Sequence, residues 1–271
     1  MKIMNGLRKL RANPVLIKLA RLLHLQVFIR KIYYKFILFR NNKIKIKLFG
    51  YEAQFYARRF DECNNIENFL NDEWRENRVI QRIFLELKPK DVAYDIGASI
   101  GTHALFMALK LSPHGRVFAF EPESDSFRIL KDNILLNKMQ NIMVFQAALG
   151  DYAGEVSIRK VPWFTVTDNS NFALANKVRL AEGDVFIKEN NLPLPSVVKI
   201  DVEGFEYYVI KGLENTLKNP VCRMVACEIH PTLLSGGTRV SDILELLESY
   251  GYKKNEIFKR LAELHAFFYK D

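Results

Sequence analysis

Four acid–base side chains, Asp201, Glu203, Glu228 and His230, stand at the ends of two apolar runs, Val197–Asp201 and Cys222–Glu228. If the runs are neighbouring strands, these ends meet, and the group suits removal of a proton from a substrate hydroxyl. Neighbouring carboxylates raise one another's pKa and help an imidazole keep its proton, so either an acid or His230 can act as base. The favoured arrangement is His230 as base, with Asp201 and Glu228 orienting the acceptor. Glu203, followed by Gly204 at a helix start, fits this cluster or serves only as a charge at the helix dipole. The same donors suit Mg²⁺ or Mn²⁺. Strand ends impose no fixed ligand spacing, however, and no metal is expected.

A second constellation is Val92-Ala-Tyr-Asp-Ile-Gly-Ala-Ser-Ile-Gly101, followed by Phe118-Ala-Phe-Glu-Pro122. An apolar run, a turn on Gly97, Ser99 and Gly101, a helical run and a second apolar run make one βαβ unit. A dinucleotide fold wants a second glycine where this chain has Ser99, so a pyrophosphate is disfavoured. Glu121, at the carboxyl end of the second strand, stands where a carboxylate accepts both ribose hydroxyls. A nucleoside without phosphates fits both facts, and S-adenosylmethionine is the commonest such cofactor. Asp95, Gly97, Ala98, Ser99 and Gly101 are then expected at its methionine end, beside Asp201. Glu121 and Pro122 are expected at the ribose, with the small Ala147 and Ala148 flanking adenine. Asp95 has a second reading, as a carboxylate that holds the turn in shape. His103 is expected to pack at the cofactor's carboxylate end.

Positioning these residues takes a parallel sheet. Strands are expected near Val92–Asp95, Arg116–Glu121, Ile142–Gln146, Val197–Asp201 and Cys222–Glu228. Helices are expected at about Gly101–Leu111, Ser124–Asn137, Gly204 through Glu214 and Ser241–Tyr250, and a closing hairpin near Tyr252–Phe258 and His265–Tyr269. Upstream, Lys43–Phe49 and Glu52–Tyr56 read as a small hairpin, and Asn71-Asp72 as the cap of a helix reaching about Leu87. Glu155–Val161 looks like an extra strand. Trp163–Ala175 reads as a polar and aromatic loop contributing to an acceptor pocket.

Asp95-Ile-Gly-Ala-Ser-Ile-Gly101, Phe120-Glu-Pro122, Asn133 through Asn137, Ala147-Ala-Leu-Gly-Asp151, Lys199-Ile-Asp-Val-Glu-Gly204 and Glu228-Ile-His-Pro231 resemble, in order and spacing, the FkbM-family methyltransferases. The resemblance runs from about Asp91 to Tyr252. It implies an α/β, Rossmann-like class I methyltransferase fold: a seven-stranded, mostly parallel sheet with helices on both faces. It also implies S-adenosylmethionine-dependent O-methylation of a sugar, glycoconjugate or related natural product, hence a small-molecule or glycan acceptor. The sequence admits three other readings. One is an RNA methyltransferase; the second is a cofactor-binding scaffold without catalysis. The third is a serine hydrolase, because Gly97-Ala-Ser-Ile-Gly101 also fits a nucleophile elbow with Asp201 and His230 following. That last reading leaves Glu121 and Lys199–Gly204 without a role.

Charge separates the chain into parts. Residues 1–50 hold 13 Lys plus Arg and no Asp or Glu, whereas residues 51–271 hold 27 bases and 31 acids. A nucleic-acid groove through the catalytic region is therefore disfavoured. The expected organisation is a basic amphipathic N-terminal helical segment (1–42), a hairpin and helix (43–90) and a Rossmann-like domain (91–271). Within the first part the longest uncharged run, Leu22–Ile29, is eight residues, far short of the ~20 that span a bilayer. No small-residue cleavage site follows. A basic amphipathic helix suits an anionic membrane surface or packing on a partner; a cytoplasmic protein, peripheral at the cytoplasmic membrane face, is the expectation. Three cysteines, Cys63, Cys222 and Cys227, form no C-x-x-C pair and read as core thiols.

Overall fold

Apolar runs flanked by turns become strands buried on both faces. In the computed structural model, which describes residues 42–57, 66, 76–161, 164–167, 176–260 and 262–270, the chain opens with the hairpin β1 (Lys43–Leu48) and β2 (Tyr51–Tyr56), then α1 (Glu76–Glu86). The expected helix of residues 1–42 and the cap at Asn71-Asp72 lie outside the described residues, as does Cys63. There follow β3 (Val92–Ile96), α2 (Thr102–Leu111), β4 (Arg116–Phe120), α3 (Ser124–Leu136), β5 (Ile142–Phe145), β6 (Ala148–Gly150), β7 (Gly154–Val161), β8 (Phe164–Thr167) and β9 (Asn176–Glu182). The remainder is α4 (Gly183–Glu189), β10 (Val197–Ile200), α5 (Glu206–Gly212), α6 (Glu214–Lys218), β11 (Met224–Ile229), α7 (Val240–Ser249), β12 (Lys253–Arg260) and β13 (Glu263–Tyr269).

Seven strands form the central sheet in the order β12-β13-β11-β10-β3-β4-β5. β11, β10, β3, β4 and β5 run parallel, and β13 pairs antiparallel with both β11 and β12. This is the expected α/β architecture with its closing hairpin. Alternation of side chains sends Ala93, Val117, Ala119, Val197 and Ala226 into one apolar cluster with α1, α2, α3 and the β1–β2 hairpin. Tyr94, Phe118, Phe120, Val198, Ile200 and Val225 point to the other, with α5 and α7. Cys222 and Cys227 are buried free thiols.

Three expectations change. A second sheet, β6-β9-β7-β8, stands beside the first; only its β7 was expected. Within Trp163–Ala175, residues 164–167 form β8 paired to β7 instead of a loop, and residues 163 and 168–175 lie outside the described residues. The helix after Gly204 is two short helices that meet at Leu213. The second sheet is seated through Gly212, where a β-carbon would come within 1.7 Å of the Gly150 carbonyl oxygen.

Candidate active site

Strand register gathers the site. Ile96 is level with Phe120 and Ile200, and Ile200 with Cys227, so the next residues, Gly97, Glu121, Asp201 and Glu228, form one rim at the carboxyl ends of the strands. Asp95 is the partner of Lys199, and Ala226 sits opposite Lys199 on the other side. With a side-chain period of two, Asp95, Lys199, Asp201, Glu228 and His230 leave the sheet on the same face. His265, level with Glu228, joins them.

The first cluster is an ion-pair chain. Lys199 Nζ lies 3.1 Å from Asp95 Oδ1, 3.3 Å from Asp201 Oδ2 and 3.4 Å from the Gly97 carbonyl oxygen. Burial alone would lower the Lys199 pKa, but Asp95, Asp201 and Glu228 outweigh it and raise it. Burial raises the Asp95 carboxyl, against the pull of Lys199. Asp95 has no exposed surface. It sits beneath the turn paired to Lys199, whose Nζ also reaches the Gly97 carbonyl oxygen.

The turn itself is held by backbone contacts. Gly97 and Ala98 both donate their N–H to the Phe120 carbonyl at 3.0 Å. A β-carbon on Gly97 would lie 1.7 Å from the Asp201 carbonyl oxygen, and the residue has φ +80, so only glycine fits. Glu121 closes the turn from the next strand: Oε2 accepts the Ser99 N–H at 2.7 Å and Oε1 the Glu123 N–H at 2.8 Å. Burial pushes the Glu121 carboxyl up to about 7, with those two N–H groups acting in the opposite direction. Pro122 is half-buried beside it, Ala147 is buried, and Ala148 is half-buried at the start of β6. Ser99 is exposed, and His103 is buried in the first turn of α2.

The second cluster surrounds His230, which is 4% exposed. Its Nδ1 is 2.7 Å from Glu206 Oε1, while Nε2 is 3.2 Å from Glu203 Oε2, 3.7 Å from Glu228 Oε1 and 3.9 Å from Asp201 Oδ1. Burial lowers the histidine's pKa, but the bond to Glu206 and the charges of Glu203 and Asp201 lift it to about 9. That direction favours the imidazolium near neutral pH. Asp201 goes the other way: burial raises it, yet Lys199, His230 and His103 hold it down to about 2. Burial takes Glu203 up to about 8 against the attraction of His230. Glu203 also adopts φ +52, a left-handed conformation costly for a long side chain and concentrated at functional sites.

All four expected acid–base residues are therefore brought together, and two further ones join them. Glu206 is fully buried against His230, and His265 Nδ1 lies 3.5 Å from Glu228 Oε2. The period-two spacing of Lys199 and Asp201 was a visible signal for the first cluster. Glu206 follows a turn, where no strand period applies. Ligand atoms of Asp201, Glu203 and His230, and of Glu228, His230 and Glu263, lie within 4.8 Å of one another.

A model of the family described as the methyltransferase FkbM domain matches residues 95–254. The chain is 30% identical over 202 residues to hexuronic acid methyltransferase AglP of Haloferax volcanii, covering 73% of this chain and 77% of that one. It is 27% identical over 220 residues to the 31-O-demethyl-FK506 methyltransferase FkbM of Streptomyces tacrolimicus, covering 68% and 81%. Among solved structures, Aeropyrum pernix fibrillarin with natively bound S-adenosyl-L-methionine is similar at a TM-score of 0.49 and 13% identity, over 84% of this chain and 83% of that one.

Proposed function

Because the chain belongs to the FkbM methyltransferase family and its cofactor is S-adenosylmethionine, we propose that it methylates a hydroxyl of a sugar, glycoconjugate or related natural product. The observation that carries this reading is the backbone contact between Gly97 and Asp201. It fastens the turn expected at the cofactor directly to the acid–base cluster. The donor set fits the cofactor: the rim offers the carboxylates of Glu121 and Asp201, while the charge of Lys199 is already matched by Asp95 and Asp201. A ribose diol, an ammonium and a sulfonium suit such a rim; a pyrophosphate does not.

In this reading Glu121 accepts the ribose hydroxyls, the backbone of Gly97–Gly101 and Asp201 hold the methionine end, and Ala147 and Ala148 border the adenine. When bound, the cofactor supplies a methyl group already activated by its sulfonium. The chain's own work is to align the acceptor, which contributes up to ~7–11 kcal/mol in ideal cases, and to take its proton. Glu203 is the proton acceptor, because its pKa of about 8 lies close to the working range of a general base. Asp201 and Glu228 orient the hydroxyl. The names of the relatives, a hexuronic acid methyltransferase and a 31-O-demethyl-FK506 methyltransferase, support an oxygen acceptor. The basic residues 1–42 are assigned to an anionic membrane surface on the cytoplasmic side, where such acceptors would be presented.

Calorimetric titration with S-adenosylhomocysteine, beside NAD and beside the Glu121→Ala variant, tests the cofactor site. Loss of a charged hydrogen-bonding partner of this kind costs about 1.5–3 kcal/mol, so a 10- to 100-fold weaker affinity is expected in the variant. A panel of uronic acid glycosides, scored by mass for one added methyl group on oxygen, tests the acceptor. Transfer to RNA alone would overturn the proposal.

A further inference from the structure

Glu206 is a carboxylate with no exposed surface, placed at the start of α5 by the turn that carries Glu203 and Gly204. Its Oε1 accepts the Gly204 N–H at 2.9 Å and meets His230 Nδ1 at 2.7 Å. A buried carboxylate is costly unless it is paired and hydrogen-bonded. Lys199, the nearby ammonium, is engaged by Asp95 and Asp201, so the cation that compensates Glu206 is His230. Removing the proton from His230 would strand this charge. With Nδ1–H committed to Glu206, the ring presents Nε2 to Glu203, Glu228 and Asp201, at 3.2, 3.7 and 3.9 Å.

We propose that Glu206 is a positioning residue for the methyl-transfer site, which holds His230 as a fixed imidazolium whose Nε2 stands 3.2 Å from Glu203 Oε2. The ring then does not accept the acceptor's proton. Its charge stands beside the carboxylate that does and favours that carboxylate's ionised form against burial. This assignment rests on the methyltransferase reading for its catalytic meaning, but the His230–Glu206 pairing is a property of the chain alone. The groups that face the ring are Glu206 from α5, Glu203 and Asp201 from the end of β10, and Glu228 from β11, with Glu263 of β13 in the same cluster. Lys199 and His103 act on it through Asp201, and His265 through Glu228.

The test is an NMR titration of the histidine ring protons in the full chain without cofactor, with His230→Gln identifying the His230 signal. His230 is expected to titrate at least one pH unit above the ordinary histidine value of ~6.5. In Glu206→Gln, which keeps an acceptor oxygen but loses the charge, the midpoint is expected to fall by at least one unit. The alkaline limb of the kcat profile, which reports loss of the imidazolium, should shift with it, while the affinity for S-adenosylhomocysteine stays within about twofold. Glu206→Asp, which restores charge at a shorter reach, should recover part of the shift. A native His230 that titrates at or below the ordinary value would overturn the proposal, with no need for a folded variant. So would a Glu206→Gln chain with the native midpoint and kcat profile. A chain that shows the raised midpoint but binds no S-adenosylhomocysteine would sink the methyltransferase reading and leave the pairing standing.

Discussion

At the scale of single residues, the site concentrates charge that the fold can hold only in particular protonation states, so its stability must depend on pH. His230 has a folded pKa of about 9, raised from 6.5. Its contribution is fully present below pH 6.5 and is lost as pH rises through about 9. Glu203, raised from 4.5 to about 8, contributes fully below pH 4.5 and loses its contribution as pH passes 8. Glu121, raised from 4.5 to about 7, acts in the same sense. Asp201 is depressed from 3.8 to about 2, so its share is present above pH 3.8 and lost only as pH falls through 2. Three of the four slopes agree across the neutral range. The melting temperature is therefore expected to fall by several degrees between pH 6.5 and 9, and His230→Gln is expected to flatten that decline. Differential scanning calorimetry of both chains along this range checks it; parallel curves would mean that the histidine is not carrying the proton.

At the scale of elements, the parallel strands were legible because Val92–Ile96 and Arg116–Phe120 are apolar on both faces, as central strands must be. The acid–base residues were legible because they end such strands. The second sheet was hidden: β6 has three residues, and β9 reads Asn-Lys-Val-Arg-Leu-Ala-Glu, of which only Leu180 and Ala181 are buried. Pairing across distant segments, not local pattern, makes these strands. Glu206 escaped notice because the left-handed Glu203 and Gly204 redirect the chain before it, so its link to His230 is tertiary. The role of Asn133 and Asn137 was equally out of reach, although both were visible as a motif. Asn133 accepts the Tyr56 N–H at 2.7 Å and donates to the Ile100 carbonyl at 2.8 Å. Asn137 accepts the Gln54 N–H at 2.8 Å and donates back to its carbonyl at 2.7 Å. Asn133 of α3 and Asn137 just past its end thus serve β2 as a substitute for a third strand, and Asn133 ties the hairpin to the turn at Ile100. Asn133→Leu leaves two backbone groups unsatisfied at about 1–3 kcal/mol each. It is expected to lower the melting temperature by several degrees and to weaken S-adenosylhomocysteine about tenfold. Asn137→Ala should lower stability alone. Calorimetry on both variants decides it: unchanged cofactor affinity in Asn133→Leu would reduce the hairpin to a purely structural brace.

At the scale of the whole molecule, the distribution of charge argues for two working ends. The described core gathers Asp95, Glu121, Asp201, Glu203, Glu206 and Glu228 near the carboxyl ends of its strands, whereas residues 1–50 hold 13 bases and no acids. Among the described residues no helix is long and apolar enough to cross a membrane. The only part of the basic stretch within the described residues is the hairpin, whose β1 buries Ile44 and Ile46 against α2 and α3 and leaves Lys43, Lys45 and Lys47 pointing outward. Lys45 Nζ pairs with Glu52 Oε1 at 2.7 Å and Lys43 Nζ lies over the Tyr56 ring, and the larger share of the basic charge lies upstream of the hairpin. Residues 1–42 hold ten of the bases; each Lys or Arg near an anionic lipid surface contributes ~1 kcal/mol, attenuated beyond a Debye length of ~8 Å at physiological salt. Sedimentation with phosphatidylserine-containing vesicles is therefore expected to carry down the full chain and to leave a chain that begins at Lys43 in the supernatant, with binding of the full chain lost at high salt. Equal sedimentation of the two chains would remove the membrane assignment. Binding that persists in high salt would show that apolar contact, and not the basic charge, holds the protein there.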